Sequence, residues 1–139
     1  AEKEEIIKMA EDMGISDAVI FTGRKSFTEI PAYVNAFDLA IVSARNASDF
    51  HYSPLKLREY LGAGKATLAP NAGEIPKMFQ DDIPLKLYNV GDIQGTAQKI
   101  IELYKDGEKR ALIAIKGKEQ ILKNGTWDVE LEKLMNKTN

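Results

Sequence analysis

The 139-residue chain has no cysteine and a single histidine, His51, which excludes disulfide staples, thiolate metal sites and multi-histidine zinc sites. No metal is expected. Long apolar runs are also missing: residues 38–42 form one of the longest, far short of the roughly 18 a membrane span requires. No charged-then-apolar leader is visible, and a soluble, cytoplasmic chain is the expectation. Charge of one sign is scarce as well. Nineteen Lys and Arg against 21 Asp and Glu leave a net charge of −2, so no global field draws nucleic acid or an anionic membrane. Internal repeats and low-complexity linkers are absent too.

What is present is ordinary globular chemistry: 44% hydrophobic and 29% charged residues over one domain's length of chain. The sequence starts at Ala1, directly inside a helical pattern, as if cut from something longer. Ile6, Ile7, Met9, Ala10 and Met13 recur at helical spacing, and Gly14 suits a left-handed cap. Residues 18–23 read as a buried strand ended by Gly23, followed by a loop at 24–26. A helix is expected over 27–36, with Ile30, Tyr33, Val34 and Phe37 as its apolar stripe and Pro31 in the first turn. Strands at 38–44, 65–69 and 85–89 alternate with helices at 55–61 and 74–79. Long amphipathic helices follow at 93–104, 108–122 and 127–135, the last packed by Trp127.

Alternating strands and helices predict an α/β fold, a Rossmann-like parallel sheet flanked by helices. Ligands bind such sheets at the carboxyl ends of the strands, which singles out the loops after Thr22, Ala44 and Pro70. The second of these opens a helix. Ser53 suits an N-cap and Pro54 a first helical turn, so free amides and the positive end of the helix dipole form a ready phosphate site beside Leu55 and Lys56. Glu59 lies about one and a half turns deeper, next to Tyr60 and Leu61. A buried carboxylate there could accept two ribose hydroxyls; the competing reading is a solvent-facing Glu59 paired with Lys56 or Lys65.

The run Ser53-Pro-Leu-Lys-Leu-Arg-Glu59-Tyr-Leu-Gly-Ala-Gly64-Lys65, followed by Ala72-Gly73-Glu74-Ile75-Pro76, resembles the nucleotide-sugar site of the group 1 retaining glycosyltransferases of GT-B fold. Residues 19–23, 30–38, 85–92 and 125–127 resemble further landmarks of that family in the same order. The resemblance implies the donor-binding C-terminal part of such an enzyme, a truncated half of its C-terminal domain, with residues 1–139 as one partial domain and C-terminal helices from about 93. It implies a nucleoside diphosphate sugar of UDP, GDP or ADP type as substrate, with no cofactor. The main chain at Ser53, Pro54 and Leu55, with Lys56 nearby, would hold the diphosphate. Glu59 would hold the ribose, and Gly23, Arg24 and Lys25 would border the base.

One departure from the family pattern concerns chemistry. Two glutamates eight positions apart are usual, and the first falls on His51, which becomes the tentative catalytic contact and a group able to respond to pH. Asp49 could substitute if the loop is shifted. The resemblance further implies an absent N-terminal acceptor-binding domain, through which the chain could sit at the inner membrane face. Because the family's first two donor-domain strands are absent, residues 18–22 are expected either to pair directly with 38–44 or to leave an edge for a dimer. The fragment alone would be catalytically silent. A nucleotide-sugar epimerase and a flavodoxin-like binding module are the alternatives.

Overall fold

A computed structural model describes residues 2–44, 46, 55–79, 85–124 and 126–136. The chain divides into two compact units, residues 1–30 and 31–139.

In the first unit, α1 (Glu2–Asp12) ends where its sequence predicts. Gly14 adopts φ of 67° and its amide donates to the Glu11 carbonyl, while the Ile15 amide reaches back to Ala10, so both orphan carbonyls are satisfied. Lys3 stands over the Phe21 ring. The strand expected at 18–23 does not form. Ser16–Ala18 is a 3₁₀ turn, and the residues from Val19 to Ser26 have no regular structure, with Ile20 85% exposed. A strand exists only as a member of a ladder, and these residues join none, so the apolar run alone could not make one. The helix expected from 27 is shorter, since 27–29 is a turn and α2 spans Ile30–Asn35, all but its first residue in the second unit.

The second unit holds an open, three-stranded parallel sheet of order β1-β2-β3: β1 is Ala40–Ile41, β2 Thr67–Pro70 and β3 Lys86–Tyr88. Ala40 pairs with Thr67, and Leu68 with Lys86. The direct pairing expected between 18–22 and 38–44 is not formed: among the described residues β1 ladders with β2 alone.

The sheet is covered on both faces because the central strand's side chains alternate. Ala69 joins Val42, Leu57, Leu61, Ile75, Phe79, Leu85 and Ile121 on one side, whereas Leu68 joins Ala66, Tyr88, Leu103 and Ile113 on the other. The first layer is supplied by α3 (Leu55–Gly62) and α4 (Ile75–Met78), and the second by α5 (Ile93–Lys105). The long helix α6 (Gly107–Asn124) serves both, through Ile113 near its start and Ile121 near its end. Asp106 alone separates α5 from α6; its carboxylate accepts the Lys109 amide, and Arg110 caps the last carbonyls of α5 at Leu103 and Tyr104. The final helix, α7, spans Trp127–Asn136, while the packing of the Trp127 side chain lies outside the described residues.

Candidate functional site at the carboxyl edge of the sheet

Each of the three strands is followed by a loop and then a helix, so the amino ends of α3, α4 and α5 all lie towards the carboxyl edge of the sheet. Charge distinguishes them. Asp92 caps α5 by accepting the Gly95 amide at 2.8 Å, and Glu74 occupies the N-cap of the four-residue α4. Both ends already carry a carboxylate, which repels an anion. The first turn of α3 holds no acidic side chain and presents exposed Leu55 and Lys56. Among the described residues it is the helix start at this edge best suited to a phosphate. A shallow cavity of about 340 Å³ beside α5, lined by Tyr88, Asp92, Ile93, Thr96 and Ile100, is mainly apolar.

Helix α3 is oriented by Leu57 and Leu61, both fully buried against the sheet. At about 100° per residue, Glu59 falls on the opposite face. It is exposed, which corrects the expectation of a buried carboxylate: the leucines set the rotation of the helix, and the acid two residues on must point outward. The alternative pairing is also not realised. Lys65 donates instead to the Asn35 carbonyl at 2.7 Å, and among the described residues no hydrogen bond or ion pair engages the Glu59 carboxylate. Its neighbour Tyr60 is half-buried and meets the Phe37 ring edge-on at 5.9 Å between centroids. Burial pushes the Tyr60 phenol above its ordinary pKa, and the nearby Glu59 charge adds to the rise.

Leu55, Lys56 and Glu59 thus share one helix. Gly23, Arg24 and Lys25 belong to the other unit. Gly23 has φ of 67°, a conformation favouring glycine, and Arg24 is exposed. The positive charge of Lys25 helps to lower the Glu29 pKa, behind the hydrogen bonds that Ser26 donates to that carboxylate. His51, Ser53 and Pro54, with Asp49, lie outside the described residues.

Two features of the edge escape a reading by sequence. The Tyr88 hydroxyl donates to the Val42 carbonyl and accepts the Ala44 amide, both at 3.0 Å, although 44 and 46 residues separate the partners. Asn71, after β2, donates its amide to the Tyr88 carbonyl at 2.7 Å and its side chain to Asn89. The only hint in the sequence is Pro70 at a strand end, a residue unable to extend a ladder. No group of three or more His, Cys, Asp or Glu suited to a metal occurs among the described residues, and no described helix is long and apolar enough to cross a membrane.

A sequence model of the glycosyl transferases group 1 family matches residues 1–120. The chain belongs to that family. Within the group 1 family it is similar to the GDP-mannose-dependent alpha-(1-6)-phosphatidylinositol monomannoside mannosyltransferase of Mycobacterium tuberculosis, 25% identical over 134 residues covering 94% of this chain and 35% of the relative. It is also similar to the D-inositol 3-phosphate glycosyltransferase of Salinispora tropica, 26% identical over 130 residues covering 94% of this chain and 26% of the relative. The chain therefore spans about a third or less of the curated relatives it matches. Among solved structures, the C-terminal domain of a group 1 family protein from Francisella tularensis superposes with a TM-score of 0.77 at 24% identity, covering 90% of this chain and 63% of that one. Anabaena HepE in complex with UDP gives 0.82 at 19% identity, covering 97% and 36%. The fold is that of a group 1, GT-B C-terminal domain.

Proposed function

We propose that this chain is the donor-binding portion of a retaining glycosyltransferase that takes a sugar from a nucleoside diphosphate sugar of UDP, GDP or ADP type. The observation that carries the reading is the start of α3: a helix N-terminus at the carboxyl edge of a parallel sheet, free of acidic side chains in its first turn, with exposed Glu59 on the same helix. Main-chain amides near Leu55, with Ser53 and Pro54 before them and Lys56 beside them, receive the diphosphate. Glu59 accepts ribose hydroxyls, for which an exposed carboxylate with no partner among the described residues is better suited than one already bridged to a lysine. The names of relatives support the class of donor: one is GDP-mannose-dependent, and a structure of the same fold was solved with UDP.

Charge builds on the departing diphosphate during transfer, and amides with a helix dipole behind them stabilise it without a metal. His51 stands nearest the sugar in this reading. An N-terminal acceptor-binding domain, retention at the anomeric carbon, silence of this fragment alone and a cytoplasmic site of action belong to the same proposal.

Calorimetric titration of the chain with UDP, GDP and ADP tests it. Binding of one nucleotide, weakened by about 1–3 kcal/mol in Glu59→Ala, is the expected result. Equal affinity in the wild type and Glu59→Ala would remove Glu59 from the site, and no binding to any of the three would remove the donor role.

A further inference from the structure

The β1/β2 ladder ends for a specific chemical reason. Ala40 donates its amide to the Ala66 carbonyl and Val42 donates to Leu68, each at 2.9 Å. In a parallel ladder the Val42 carbonyl would next accept from the amide of residue 70. Residue 70 is proline and has no N–H, so that carbonyl lacks its ladder donor. The gap is filled from one strand further away. Tyr88 is paired with Pro70 on the other side of β2, and its hydroxyl supplies the proton to Val42 while accepting the next amide, that of Ala44.

We propose that Tyr88 is a positioning residue for the donor site: its hydroxyl replaces the amide that Pro70 lacks and fixes the outgoing end of β1, from which the chain passes to the start of α3. The inference rests on the donor-binding reading given above. Tyr88 also ties down the loop after β2, because its own carbonyl accepts the Asn71 amide and its neighbour Asn89 accepts the Asn71 side chain. One buried residue thereby links the exits of β1 and β2. Because a phenol hydroxyl both donates and accepts, it can satisfy a carbonyl and an amide at once; phenylalanine keeps the ring and does neither.

The test compares the 139-residue chain with its Tyr88→Phe variant by amide hydrogen exchange and by titration with UDP, GDP and ADP. In the variant, exchange at Ala44 is expected to accelerate roughly tenfold, as loss of the hydrogen bond to its amide implies, while α5 amides keep their protection and nucleotide affinity falls. Faster exchange at Ala44 with unaltered affinity would overturn the proposal. So would parallel acceleration in α5, which would make Tyr88 a general stabiliser of the fold. A wild-type chain that binds none of the three nucleotides would overturn the donor reading and this role with it, whereas tight wild-type binding lost in Glu59→Ala but retained in Tyr88→Phe would overturn this role alone.

Discussion

Lys65 donates through Nζ to the backbone carbonyl of Asn35 at 2.7 Å, tying the turn after α3 to the last residue of α2. One of the two lysines that spacing offers as a partner for Glu59 is thereby committed elsewhere. Glu59 keeps an outward-facing carboxylate whose charge is felt by Tyr60.

That relationship predicts a titration. In Glu59→Gln the Tyr60 phenol should fall towards its ordinary pKa yet stay above it, because burial, the larger cause of the rise, persists. A raised phenol pKa contributes stability that is complete below the ordinary tyrosine value and lost as pH rises through the folded value. Ring resonances of Tyr60 followed by NMR across alkaline pH check this, and an unchanged midpoint would contradict it.

The rotation of α3 depends on Leu57, fully buried among Val42, Leu61, Ala69 and Ile75. Leu57→Ala should cost about 2–5 kcal/mol, the range for deleting a buried leucine side chain. Urea unfolding monitored by circular dichroism measures it; a loss below about 1 kcal/mol would mean that the helix is not held in this way.

Glu102 is paired with Lys109 and lies 3.4 Å from Lys86. The Lys109 hydrogen bond, followed by the Lys86 charge, lowers its pKa. The resulting stabilisation is present above the ordinary glutamate range and disappears as pH falls through the lowered value. In Lys109→Met the Glu102 carboxyl should titrate closer to its ordinary value, as carboxyl carbon NMR would record, and the acid limb of the stability profile should become shallower.

Asp92 and Gly95 form a cap in which a Cβ at 95 would stand only 2.8 Å from the Asp92 carboxyl carbon. Asp92→Ala should cost about 0.5–2 kcal/mol. Gly95→Ala alone should gain little, because its helix propensity is offset by displacement of the cap; made in the Asp92→Ala background it should stabilise by up to about 1 kcal/mol. Thermal unfolding of the four proteins closes the cycle, and additive effects would exclude the clash.

Local chemistry determined much of this protein. Gly14 ends α1 because its positive φ suits glycine, and α5, α6 and α7 follow the apolar periodicity between 93 and 136 to within about two residues. The segment from 53 to 65 carried the family resemblance that the match over 1–120 bears out. Three features needed the tertiary structure. Residues 18–23 have strand composition but no ladder, and backbone pairing is a property of two segments that one segment cannot encode. Glu59 is exposed because burial of Leu57 and Leu61 fixes the helix rotation, which spacing alone left open between two readings. The Tyr88 hydroxyl meets Val42 and Ala44 only because three parallel strands bring distant residues side by side, where a proline had removed the amide the ladder required.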